Sequence, residues 1–294
     1  MHVPLILLAA GRSTRFGTLK QVAPVGPGGA SILAYTVVDA LLAGFSEVVL
    51  VVRPEIEATI QEHLSRQLGG RLPIRVVHQL DPLGTAHATL LGLAGIDGPA
   101  AVANGDDAYG RDALQKLYRS AKWTARSPDE LARCALVAYP ILSTLSEHGG
   151  VSRGWVQTDG DTVTSIDEIY EVRSTDDPAR LSGRTTDGAP CFLPHDALGS
   201  MNLWMLGPGL TALLEREFDR YHLEASGDEF LLSTVLDHLR ASNELAIRLA
   251  GTADGWFGLT FANDLPAASA RLAEAHRSGL YAEPLAAMAD PFRT

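Results

Sequence analysis

The sequence predicts an α/β fold: a Rossmann-like, doubly wound sheet, mixed but mostly parallel, with helices on both faces. Three observations lead there. Apolar runs alternate with helical periodicities through the first 106 residues in a βαβα rhythm. Those apolar runs are continuous rather than alternating, as in strands covered on both faces. The chain has 294 residues, 46% hydrophobic and 20% charged, which suffices for one large α/β domain with a full core.

The elements follow in order. "VPLILLA" is the first strand. "SILAYTVVDALLAG" is a helix capped by Ser31 and ended by Gly44. Strand "EVVLVV", helix "EIEATIQEHLSRQL", strand "IRVVHQ", helix "TAHATLLGLAG" and strand "AAVANGD" continue the rhythm. Ligands on such sheets bind at the carboxyl ends of the strands, here Gly11 onward, Arg53, Gln79 and Asp106. "ARCALVAYPI" is a strand, and "RGWVQTDGDTVTSIDEI" a hairpin turning at Asp159-Gly160-Asp161. Residues 171–199 are polar, lack periodicity and predict a long excursion or flexible lid. Strand "SMNLWML", helices near 209–221 and 228–241, strand "LAIRLA" and helix "LPAASARLAEAHRSG" complete the pattern. The expectation is a single domain over 1–294: a nucleotide-binding half at 1–140, an acceptor-binding half at 141–262 and a C-terminal helix and tail at 263–294.

A formal net charge of −11 argues against a nucleic-acid binder that relies on a basic surface. Cys134 and Cys191 sit in no C-x-x-C pair and read as free thiols of a reducing compartment. The opening apolar run is too short for a bilayer and lacks a charged leader, so the expected location is the cytoplasm, without a membrane partner. The nine histidines show no metal-ligand spacing, Cys191-x₃-His195 is an isolated pair, and no G-x-S-x-G occurs.

Against this acidic background, "LILLAAGRSTRFGTLKQ" carries Arg12, Arg15 and Lys20 with no acidic residue before Asp39. A glycine at a strand end lets backbone N–H groups form an anion nest, and added cations suit it to a polyphosphate. The loop is neither a Walker A motif nor G-x-G-x-x-G, since Phe16 stands five residues after Gly11. A solvated basic turn would also account for these residues alone.

"LAAGRSTR…K" resembles the L-A-A-G-x-G-T-R…K signature of the nucleotidyltransferases that make nucleotide sugars from sugar 1-phosphates. Ser13 replaces the middle glycine. The short spacing from Arg15 to Lys20, with "RFG", is closer to relatives acting on molybdopterin or alcohol phosphates. "QLDPLGTAHA" resembles the base-recognition segment of the N-acetylglucosamine-1-phosphate uridylyltransferases. The Gln79 amide offers a donor beside an acceptor, matching an edge of uracil or thymine, and a flipped amide matches cytosine. Gly154 and Glu168 have the separation of a sugar-contacting pair in that family, "SMNLWML" supplies Asn202, and "TFANDL" resembles the segment of the second metal ligand.

The resemblance implies a nucleotide-diphospho-sugar transferase fold of the glycosyltransferase A-like type. It implies Arg15 and Lys20 as catalytic residues, with Leu8, Ala9, Ala10, Gly11, Ser13, Gln79, Gly84 and Thr85 binding the nucleotide. Gly154, Glu168 and Asn202 would hold the sugar, and Asp106 and Asp264 would hold Mg²⁺. Asp107 and Asn263 stand second for the metal, and a loop cap or a helix N-cap explains Asp106 or Asp264 equally well without the resemblance. The expected substrates are a nucleoside triphosphate, UTP or dTTP first, and a phosphorylated sugar. A cytidylyltransferase for alcohol or polyol phosphates, a glycosyltransferase using Asp106-Asp107, and an inactive nucleotide sensor remain as alternatives. Oligomeric state is not legible.

Overall fold

The computed structural model describes residues 1–11, 19–125, 131–146, 149–224, 229–259 and 262–292. Its first half is the expected alternation: β1 (Leu5–Leu8), α1 (Ile32–Ala43), β2 (Val48–Val52), α2 (Pro54–Leu68), β3 (Ile74–His78), α3 (Thr85–Leu93) and β4 (Ala100–Asn104). Ser31 caps α1, its hydroxyl accepting from the Ala34 N–H at 3.3 Å, and Gly44 ends the helix at φ 106°. The strands lie in the order β3-β2-β1-β4, all parallel. The chain winds outward from β1 to β3 and then returns to the other side of β1. The crevice at the carboxyl ends of β1 and β4 is therefore a topological switch point, where such sheets bind ligands.

Alternate residues of these strands feed two cores. Leu5, Leu7, Leu50, Val52, Ala101 and Ala103 pack with α1 and α2 on one face. Ile6, Leu8, Val49, Val51, Ala100 and Val102 pack with α3 on the other. Burial on both faces is why the runs read as continuously apolar.

After β5 (Asp107–Ala108) comes α4 (Arg111–Thr124), a helix with no counterpart among the predicted elements. Its signal is a narrow stripe of Ala113, Leu114, Leu117 and Ala121 facing the first core, in a segment otherwise polar. Beyond it lie β6 (Ala132–Pro140), β7 (Val151–Asp159), β8 (Thr162–Ser174), β9 (Arg180–Arg184), β10 (Pro190–Pro194) and β11 (Leu198–Leu206). They are followed by α5 (Leu210–Glu224), α6 (Leu232–Ala241), β12 (Leu245–Leu249), β13 (Phe257–Gly258), α7 (Leu265–Arg277) and α8 (Ala286–Ala289).

The sheet is mixed, and its parallel pairs are those of the first four strands and of β12 with β6. Strand β11 runs antiparallel to β4 and β6 and joins the two halves. The turn between β7 and β8 falls at Gly160 and Asp161, as the sequence predicts.

Residues 171–199 are not an irregular lid. Strands β8, β9 and β10 form an antiparallel extension of the sheet, with Leu181 and Leu193 packed on Val151, Ile169 and Val172. One face is wet, so few apolar positions are needed and the alternation is too sparse to register in the sequence. Among the described residues no helix is long and apolar enough to cross a membrane.

Candidate active site

The end of β1 is anchored from three sides. The Ala9 N–H donates to Val51 O at 2.8 Å, the Gly105 N–H to Leu8 O at 2.9 Å, and Arg53 Nε to Ala10 O at 2.9 Å. Gln21, 2% exposed, sends its amide N–H groups to Ala9 O at 3.1 Å and Gly11 O at 3.2 Å. Residues 9–11 are thus tied down, and Ala10 and Gly11 line the crevice. Arg12, Ser13 and Arg15 lie outside the described residues.

The segment after β3 forms the opposite wall. Gly84 adopts φ 114°, and a Cβ there would stand 2.5 Å from Phe230 O, so only glycine fits. That approach closes a strap: the Phe230 N–H donates to Leu83 O at 2.8 Å, the Ala86 N–H to Phe230 O at 2.9 Å, and the Leu232 N–H to Thr85 Oγ1 at 3.0 Å. Gln79, 5% exposed, donates through Nε2 to Gly84 O at 3.2 Å and meets His87 Nδ1 at 3.3 Å.

Between the walls is an open cavity of about 570 Å³. Of the predicted residues, Leu8, Ala10, Gly11, Lys20, Gln79, Gly84, Thr85 and Asp106 line it; Gln21, Asn104 and Glu229 join them without having been predicted. Ala9 is buried behind the wall. Asp106 follows β4 in the turn and forms an ion pair with Lys20.

A second cavity of about 260 Å³ adjoins the first through Thr85 and Asn104. It brings together Gly154, Glu168 and Asn202, with Asp107, Arg153, Ser200 and Trp256. Gly154 and Glu168 are direct partners across the β7–β8 ladder, which explains their sequence separation. Asn202 sits at φ 60° where the β11–β6 register shifts, an αL position that asparagine tolerates. A chain of hydrogen bonds orders this wall: Trp204 Nε1 to Asn202 Oδ1 at 3.1 Å, Asn202 Nδ2 to Asn104 Oδ1 at 2.8 Å, and Asn104 Nδ2 to Asp107 Oδ2 at 2.8 Å. Asn104 therefore couples the two cavities, a role no motif announces.

Burial, then the charge of Asp106 beside it, pushes the Asp107 carboxyl up to about 7. Burial also raises Glu168, against the pull of Arg153, and brings Arg153 itself down to about 10. The Arg153 guanidinium is fixed by Thr144 Oγ1 at 2.8 Å and lies 5.1 Å from the centre of the Trp256 ring.

Mg²⁺ is commonly held by one or two carboxylates plus substrate phosphates, and Asp106 at the rim of the larger cavity suits that donor set. Among the described residues no three acidic, histidine or cysteine side chains converge. Asp264 and Asn263 line a different neighbouring cavity, beside Arg153 and Trp256, where Asp264 Oδ1 accepts from Ser146 Oγ at 3.3 Å. Asp106 and Asp264 do not share a cavity.

Residues 5–220 match the MobA-like NTP transferase domain. The bifunctional protein GlmU of Anaeromyxobacter sp. (strain K) is 36% identical over 136 residues, covering 45% of this chain but only 28% of that relative's length. In fold, the chain is similar to a Bacillus anthracis protein assigned as a glucose-1-phosphate thymidylyltransferase (TM-score 0.64, 14% identity, 92% of this chain and 95% of that one). It is also similar to the inositol-1-phosphate CTP transferase of T. maritima (TM-score 0.56, 15% identity, 92% and 96% covered). With the end of β1, a glutamine–glycine wall and an acidic turn around one switch-point crevice, and a match over most of its length, the chain belongs to the family of MobA-like NTP transferase domains.

Proposed function

We propose that the protein joins a pyrimidine nucleoside triphosphate, UTP or dTTP first, to a sugar 1-phosphate in the cytoplasm, giving a nucleotide sugar and pyrophosphate. The observation that carries this is the pairing of cavities. The larger is lined by Leu8, Ala10 and Gly11 at the end of β1, with Gln79, Gly84, Lys20 and Asp106, and it adjoins, at Thr85 and Asn104, one lined by Gly154, Glu168 and Asn202. A base against Gln79 would direct its phosphates toward Lys20, and an acceptor in the smaller cavity would approach from the opposite side.

The chemistry is in-line displacement at the α-phosphorus. An oxygen of the acceptor phosphate forms the new P–O bond while the bond to the β-phosphate breaks, its electron pair leaving with pyrophosphate. The acceptor is already an anion, so no base is needed; positioning and charge neutralisation do the work. Lys20 would face the α-phosphate and the acceptor phosphate, and Arg15 the departing pyrophosphate. Mg²⁺, when bound, supplies neutralisation of the triphosphate charge. Asp106 would be its protein ligand, and Asp264 a second one only by closing toward the larger cavity. Lys20 and Asp106 form an ion pair; a triphosphate with its cation would offer each of them a further partner of opposite charge.

The fold likeness to an inositol-1-phosphate CTP transferase keeps a second reading in view, a cytidylyltransferase acting on a polyol phosphate. One assay separates them: pyrophosphate release over a grid of four nucleoside triphosphates against sugar 1-phosphates and polyol phosphates, with and without a chelator. Release with UTP or dTTP and a sugar 1-phosphate, abolished by the chelator, is the expected result. Release only with CTP and a polyol phosphate would replace the first reading by the second.

A further inference from the structure

We infer that His87 is a positioning residue that fixes which face of the Gln79 amide meets the base, so that the site selects a base presenting a hydrogen-bond donor at its pairing edge. The inference rests on the larger cavity being the nucleotide site. It starts from a polar side chain whose orientation its neighbours decide. Gly84 O, 3.2 Å from one end of the amide, can only accept, so that end is the NH₂ group and not the carbonyl. One N–H is spent there. The same nitrogen lies 3.3 Å from His87 Nδ1, and pairing the second N–H there makes Nδ1 the acceptor, without a proton. The ring proton of a neutral His87 is then on Nε2. Burial lowers the His87 pKa, favouring the neutral ring, against a smaller opposing pull from the Asp81 backbone carbonyl.

The plane of the ring is held. It stacks on Phe218 of α5 with centroids 5.0 Å apart and planes within 5°. Phe218 in turn touches Tyr221 and Phe230, the latter part of the strap that closes on Gly84. With both amide hydrogens committed, Gln79 has only its carbonyl oxygen to offer the cavity it lines. Uracil and thymine carry an N–H at N3 and satisfy that oxygen. Cytosine has a lone pair at N3, and two acceptors would face each other. A freely flipping glutamine would serve either base; a held one does not.

A purely structural His87 would do nothing more than stack. Two variants separate the possibilities. His87→Phe keeps the stack and removes the acceptor. His87→Asn loses the stack but carries an oxygen on Cγ where Nδ1 stood. The measurement is calorimetric binding of UTP and CTP to the full chain with Mg²⁺, alongside thermal melts and steady-state pyrophosphate release. The wild type is expected to bind UTP about tenfold or more tighter than CTP, the cost of one unpaired group. In His87→Phe that ratio should fall to about threefold or less, with KM for UTP rising and kcat little changed. His87→Asn should keep the ratio even if its melting temperature drops. A wild-type ratio near one, a full ratio retained in His87→Phe, or equal loss in both variants overturns the inference while leaving the proposed function standing. Failure of any nucleoside triphosphate to bind overturns the proposed function and this inference together.

Discussion

Gly84 shows how much one backbone position can carry. Its φ of 114° lets Phe230 O come close enough to accept from the Ala86 N–H, and the same approach exposes Gly84 O to the Gln79 amide. Gly84→Ala adds a methyl 2.5 Å from Phe230 O and forces alanine into an extended, positive-φ conformation that is essentially reserved for glycine, which by itself costs about 1–3 kcal/mol. The expected outcome is a lower melting temperature together with weaker nucleotide binding in titration; unchanged binding would separate the strap from the site. The motif glycine was legible because its spacing from Gln79 is local. Gln21, Asn104 and His87 were not. Asn104 acts through a partner distant in the chain, Asn202; Gln21 and His87 stand inside the motifs themselves, but which backbone oxygens and which amide they meet is decided only by folding.

At the scale of elements, the least obvious contact is the docking of the C-terminal segment on α1. Tyr281 Oη donates to the buried Asp39 Oδ2 at 2.5 Å, and Arg111 Nε donates to Oδ1 at 2.8 Å from the start of α4. Tyr35 Oη meets His276 Nε2 of α7 at 2.7 Å. Burial raises the Asp39 pKa, with Tyr281 and Arg111 opposing it. The folded state therefore keeps the Asp39 proton to higher pH than the unfolded chain, and this group's contribution to stability declines as pH rises above about 4. Tyr281→Phe removes one of the two opposing donors. It should cost about 1–3 kcal/mol in urea unfolding at pH 7, and less near pH 4, where a neutral carboxyl is a weaker acceptor than a carboxylate. A loss independent of pH would assign the effect to packing alone. The helices α1 and α7 were readable from their periodicity, whereas α4 was missed because its apolar stripe is narrow; that α1, the start of α4 and the segment after α7 meet at Asp39 is a property of the packed molecule.

Across the whole molecule, stability is unevenly distributed. The parallel half has a core on each face of the sheet, whereas the extension formed by β8, β9 and β10 rests on a small cluster of its own around Leu181, Leu193 and Ile169. Leu181→Ala should cost about 2–5 kcal/mol of local stability. Hydrogen exchange should then quicken in β8–β10 while β1, β2 and β4 keep their protection; uniform loss of protection would mean that the extension and the parallel half unfold as one. The amino-acid sequence by itself determined the parallel half, because strands buried on both faces and helices with caps are local patterns. It also marked Leu8, Ala10, Gly11 and Lys20 around the end of β1 and Gln79, Gly84 and Thr85 after β3, which line one cavity, because each group lies within one stretch of chain. Only the tertiary structure decided that residues 171–199 extend the sheet, because a strand with one wet face writes a weak pattern. Only it decided that Asn104 links two cavities, that Asp264 faces a different one from Asp106, and that the Gln79 amide is held in one orientation. Those facts depend on distances between segments far apart in the chain, which close only when both cores are packed.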